Sequence, residues 1–177
     1  MSGVGSLVAV TVVGIDRPGI VAAISKVLFD RGCNLEDVSS TILRGHFSMM
    51  LLVHVPTDVE LGELEGDLAA AGGPLGLTVT VRSVEETPAE VPHPTHMISV
   101  YGADRPGIVF KVAEVLAGVG ANITDLTSRV IGDEEEPLYA VMLEVVLPAG
   151  VTADDLMKLK DELDLEMSVH PVDADVL

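Results

Sequence analysis

The chain has 177 residues, 48% of them hydrophobic, and sets 10 Lys+Arg against 28 Asp+Glu for a net charge of −18. The length suits one ordinary domain or two small ones, and the acidic surface excludes the basic stripe that a phosphate backbone needs, so no direct nucleic-acid partner is expected. The lone cysteine, Cys33, rules out an intramolecular disulfide; with no signal-peptide pattern and no apolar run near ~20 residues, a cytoplasmic protein with no membrane segment is expected.

Residues 7–13, LVAVTVV, are apolar and β-branched and predict a first strand. GIDRPGIV follows, Gly14 to Val21. Asp16 is expected to cap a helix there, and Pro18 to sit in its first turn, where no N–H donor is needed. Ile20, Ala23, Ile24, Val27 and Leu28 keep helical spacing. Gly32 is expected to end that helix in a left-handed conformation. Asn34–Leu43 alternates, with Val38, Ser40 and Ile42 on one face and Asp37, Ser39 and Thr41 on the other, which predicts a half-buried strand. Arg44-Gly45-His46 turns the chain into a strand over 47–55, which Pro56 stops. Leu61, Leu64 and Leu68 predict an amphipathic helix over 60–71, ended by Gly72-Gly73-Pro74, and a last strand covers 75–84.

The order is β-α-β-β-α-β, and it occurs twice. Gly14, Asp16, Arg17, Pro18, Gly19, Ile20, Val21, Gly32, Asn34 and Asp37 return at an offset of 88 as Gly102, Asp104, Arg105, Pro106, Gly107, Ile108, Val109, Gly120, Asn122 and Asp125. Pro56 and Pro148 match at 92, and Leu77 and Leu165 at 88 again, so the second copy has four extra residues in its hairpin and four fewer around its second helix. The second cycle is expected as strand 97–101, helix 106–118, strands 122–131 and 138–147, helix 152–163 and strand 164–170. Residues 85–96, EETPAEVPHPTH, hold three prolines and read as an extended linker. The fold class is α+β: two ferredoxin-like βαββαβ domains over residues 1–86 and 96–177, joined by 87–95, each a four-stranded antiparallel sheet with two helices on one face.

DRPGIV, a helix, and then G-x-N-[LI]-x-D opening the second strand resemble the ACT regulatory domain. Its doubling is similar to tandem ACT proteins of the glycine cleavage repressor type. The resemblance implies an amino-acid ligand held between the strand-to-helix turn and the start of a neighbouring strand. The implied contacts are Asp16, Arg17, Pro18, Gly19 and Ile20 with Asn34 and Leu35, and Asp104, Arg105, Pro106, Gly107 and Ile108 with Asn122 and Ile123. Physical chemistry supports such a pocket. A glycine allows close backbone approach, a helix start attracts a carboxylate, and Asp and Asn can serve a zwitterion. Helix starting and turn forming also account for most of these residues without a ligand. Arg17 and Arg105 are the exceptions, because neither capping nor packing asks for arginine.

Other constellations point nowhere sharper. His46 and His54 share a strand face and His93 and His96 lie in the linker, but a metal site needs three or four convergent ligands, and none is expected. The acidic tip Asp133–Glu136 reads as an exposed loop. Cys33 has Ala121 as its counterpart, so it reads as a small packing side chain. Common catalytic motifs are missing, and neither catalysis nor a cofactor is expected. The sheet face away from the helices, assigned to Val8, Val10 and Val12 or their neighbours with Ser48, Met50 and Leu52, is expected to be covered by the other repeat or a second subunit.

The expected protein is an amino-acid-binding regulator that takes a small amino acid or similar zwitterion, forms a homo-oligomer, most simply a homodimer, and acts through a regulatory protein partner. The alternatives are a ligand-free assembly module and, more remotely, an enzyme acting between the domains.

Overall fold

A computed structural model describes residues 5–85, 93–103, 105–131, 138–158 and 165–172. The chain divides into two compact units, residues 1–88 and 89–177. In the first, β1 (Ser6–Ile15), α1 (Ile20–Asp30), β2 (Asn34–Leu43), β3 (His46–Val55), α2 (Leu61–Gly72) and β4 (Thr78–Ser83) follow in order. In the second, β5 (His96–Ala103), α3 (Ile108–Gly118), β6 (Asn122–Ile131), β7 (Leu138–Val146), α4 (Ala153–Lys158) and β8 (Glu166–Pro171) repeat that order. Each sheet is fully antiparallel, with strand orders β2-β3-β1-β4 and β6-β7-β5-β8. This is the ferredoxin-like α+β fold, twice.

Both helices of the first unit bury their apolar stripes against one sheet face. Ile20, Ile24 and Leu28 of α1 and Leu64 and Leu68 of α2 share a core with Val8, Val10, Val12 and the odd-numbered residues 47–55 of β3. The valines of β1 therefore point at the helices, and the assignment of Val8, Val10 and Val12 to the far face is corrected. Strand alternation defines two faces but does not say which one the helices cover. The far face carries Thr11 beside Met50, and Ser39 on Met50's other side. The second core follows the same plan, with Ile108, Val112 and Leu116 of α3 and Leu156 of α4 against Ile98, Val100, Val141, Leu143 and Val145.

Gly32 ends α1 as expected, at φ 67. Its N–H donates to Phe29 O at 3.0 Å, and Cys33 N–H donates to Leu28 O at 2.9 Å. That pair of bonds is a Schellman cap. Gly120 (φ 73) and Ala121 repeat it on Ala117 and Leu116. The β2–β3 hairpin turns through Arg44 (φ 49) and Gly45 (φ 82), the two left-handed residues of a type I′ turn. After α2 the chain continues through a 3₁₀ turn, Gly73–Leu75, before β4, so the predicted strand start at 75 is three residues early. Gly14 and Gly102 are tight packing positions: a Cβ there would stand 2.7 Å from Leu77 Cδ2 and 2.5 Å from Leu165 Cδ2.

Strands β2 and β6 depart from the expected half-burial. Every residue of β2 is exposed, including Val38 at 48% and Ile42 at 55%. Val38 pairs with Leu51 and Ile42 with Phe47, so both lie on the helix side of the sheet. The alternation was read correctly, but β2 is an edge strand beyond the cover of the helices. The acidic tip 133–136, residues 86–92 of the linker and the end of the helix predicted over 152–163 lie outside the described residues.

Candidate functional site

Each strand-to-helix turn is built on a left-handed glycine. Gly19 (φ 96, ψ −8) caps α1 and Gly107 (φ 94, ψ 0) caps α3, and neither helix has a side-chain cap. The Gly19 carbonyl accepts from Ala23 N–H at 2.9 Å, and the Gly107 carbonyl from Lys111 N–H at 3.0 Å. The expectation that Asp16 caps α1 is therefore corrected, and Pro18 precedes the helix instead of entering it. The positive φ singles out the glycine as the junction residue, which leaves Asp16 three positions too early. Without a capping side chain, the first N–H groups of each helix have no intrahelical acceptor.

A Cβ at Gly19 or Gly107 would meet nothing within 4 Å, so these glycines serve backbone conformation and not close packing. Asp16, Arg17, Pro18 and Gly19 are exposed and Ile20 is buried, pinning the turn to the core. Asp16 N–H donates to Gly45 O at 2.8 Å, which ties this turn to the β2–β3 hairpin tip. Arg105, Pro106 and Gly107 are likewise exposed and Ile108 buried, while Asp104 lies outside the described residues.

Asn34 and Leu35 do not join Asp16–Ile20. Asn34 pairs with His54, which pairs with Leu7 at the start of β1, whereas the turn follows Ile15 at its end. Eight residues of strand separate the two ends, roughly 26 Å. In the second unit Asn122 and Ile123 pair with Val146 and Val145, and Val145 pairs with His96 at the start of β5. A single βαββαβ unit thus keeps its glycine turn and its asparagine at opposite ends of the sheet.

The turn of the second unit opens onto a groove of about 570 Å³, lined by Arg105–Phe110 and by Tyr139 of β7. Tyr139 and Phe110 were missed by the sequence reading. Tyr139 pairs across the strands with Gly102, just before the turn. Its signal was available, because Tyr139 matches Phe47 at the same offset of 92 that relates Pro148 to Pro56.

The histidines of β3 and Cys33 take surface and packing positions. His46 and His54 share a face of β3 but lie at its two ends, and His54 Nε2 is 2.7 Å from Glu36 Oε1. Among the described residues, no three His, Cys, Asp or Glu side chains could together hold a metal ion. Cys33 is half-buried against the first core, where burial raises its thiol pKa and Arg31 opposes the shift. Ala121 packs against the second core at the matching position. Arg31 itself bridges α1 to α2, with Nε donating to Asp67 Oδ2 at 2.6 Å and Nη1 to Glu63 Oε2 at 3.2 Å; these bonds raise its pKa further. No described helix is long and apolar enough to cross a membrane.

Comparison with known proteins converges on one domain type. Residues 6–82 and residues 96–164 each match a model of the ACT domain. A UPF0237 protein of Methanopyrus kandleri is 50% identical over 74 residues, 41% of this chain and 82% of that protein. Phosphoserine phosphatase SerB2 of Mycobacterium tuberculosis is 34% identical over 147 residues, 81% of this chain but only 34% of the enzyme. The glycine cleavage system transcriptional repressor of Escherichia coli is 25% identical over 145 residues, 82% of this chain and 76% of the repressor. With a matched model in each half and the same βαββαβ fold in each unit, the chain belongs to the ACT domain family and carries two ACT domains.

Proposed function

We propose that this chain is an amino-acid-binding regulatory protein that acts through a protein partner and performs no catalysis of its own. The observation that carries the reading is the twofold glycine turn: Gly19 and Gly107 each start a helix that no side chain caps. The ligand's carboxylate would take the unpaired N–H groups at the helix start, where the helix dipole favours negative charge. Arg17 and Arg105 add cationic groups beside the two turns in a chain of net charge −18. Asn34 and Asn122 would meet the ligand's other end from a second copy of the fold laid alongside, because the sheet separates them from their own turns. Binding would then favour one arrangement of neighbouring ACT domains, and the partner would read that arrangement.

A homodimer fits this scheme. The exposed edge strand β2 shows Leu35, Val38 and Ile42 on its helix side, an apolar row that a second copy would cover. The same row supports the second reading, a ligand-free assembly module. Regulation of the glycine cleavage type is proposed by likeness to the repressor, and would act through another protein because a net charge of −18 opposes direct binding to a phosphate backbone. The proposed location is the cytoplasm.

Thermal unfolding with each of the twenty amino acids tests the proposal. A ligand at 100 times its dissociation constant adds about 2.7 kcal/mol of stability, readily seen in a melt. A selective rise with one or a few amino acids is expected. Flat melts across the panel would leave the assembly module as the better reading.

A further inference from the structure

We infer that the groove at the β5–α3 turn takes an amino acid with an aromatic side chain, so that the two turns are unequal sites. The inference rests on the amino-acid-binding reading above and names the ligand class of one of its sites. It departs from the expectation of a small amino acid, and the comparison between the two repeats is what carries it.

Phe110 stands on the first turn of α3, is 66% exposed and is one of the residues that line the groove. Its counterpart at the offset of 88 is Ala22, equally placed on α1 and exposed. The fold therefore does not need a ring at this position, since alanine does the same structural work in the other copy. Tyr139, which closes the groove from β7, is half-buried and packs against the second core. Its counterpart Phe47 is 6% exposed and belongs wholly to the first core. The phenol differs from that ring by a hydroxyl, and among the described residues no partner binds it. Among the residues that line the groove, only Phe110 and Tyr139 differ from their counterparts in the first unit, and both differences add an aromatic or polar group.

The chemistry of a suitable ligand follows from this lining. Its carboxylate takes the helix-start N–H groups next to Gly107. Its ring packs edge-to-face or offset on Phe110, as aromatic pairs prefer, and Tyr139 bounds the far side. The groove's volume of about 570 Å³ falls within the range of small-molecule sites. Glycine or alanine would leave most of it to water.

Titration calorimetry on the full chain tests this with L-phenylalanine, L-tyrosine, L-alanine and glycine as probes. One phenylalanine site per chain is expected, about tenfold or more tighter than alanine. Phe110→Ala should weaken phenylalanine about tenfold. Its melt without ligand should match the parent's, because position 110 is exposed. Phe29→Ala, which removes an 81% exposed ring outside the groove, should leave the affinity unchanged. Phenylalanine binding no tighter than alanine, a Phe110→Ala variant with undiminished affinity, or two equal sites per chain would each overturn the inference while leaving amino-acid binding intact. If none of the twenty amino acids binds, the amino-acid reading itself fails and takes this inference with it.

Discussion

Gly19 and Gly107 show how one dihedral angle decides the meaning of a motif. In DRPG both the aspartate and the glycine are good helix starters, and composition alone favours the aspartate. The structure favours the glycine, because φ values of 96 and 94 are open to it and strained for any side chain. Alanine at either position meets no atom within 4 Å, so its cost is conformational and not steric. Gly19→Ala and Gly107→Ala should each lose about 1–2 kcal/mol with the fold retained, read by urea unfolding. A loss near zero would mean that the turn relaxes to negative φ and that the glycine is dispensable. Gly32 and Gly120 were legible in advance because a helix ending in glycine has one common solution, the left-handed cap. Tyr139 was obscured by the four-residue insertion in its hairpin, which breaks the register of the repeat just before it.

At the scale of elements, the alternation of β2 was readable and its exposure was not. Val38 and Ile42 fall on the helix side as their spacing requires, yet they remain open because α1 and α2 pack over β1 and β3. Periodicity reports which way a side chain points; only the packing of other elements decides whether anything covers it. Val38→Lys should therefore change the stability of the folded chain by no more than about 0.5 kcal/mol, the usual range for surface positions. If β2 mediates the proposed homodimer, the same charge should shift the sedimentation equilibrium toward monomer. Unchanged association in Val38→Lys would remove β2 from the interface. Arg31 belongs to this scale too, since its bonds to Asp67 and Glu63 join α1 to α2. Its counterpart in the second unit is Val119, an apolar residue that packs against the second core instead.

For the whole molecule the dominant quantity is charge. A net charge of −18 on 177 residues sets up self-repulsion that the folded state concentrates and the unfolded chain relieves. Raising the ionic strength from about 0.01 M to about 0.15 M shortens the screening length from roughly 30 Å to 8 Å. The melting temperature at pH 7 should rise over that range, measured by differential scanning calorimetry. A fall would show that favourable ion pairs, such as Arg31 with Asp67, outweigh the general repulsion.

The amino-acid sequence by itself determined the architecture: two βαββαβ repeats, their order of elements and their glycine turns, because hydrophobic period, turn chemistry and an internal repeat are all local or self-referential signals. It also raised Arg17 and Arg105 as residues that neither helix capping nor core packing asks for. The tertiary structure alone decided which face of β1 is buried, that β2 is an open edge, and that Asn34 lies at the far end of the sheet from Asp16–Ile20. It alone placed Phe110 and Tyr139 on one groove with Gly107. These are distances between residues far apart in the chain, fixed by strand pairing and helix packing, and no local pattern encodes them.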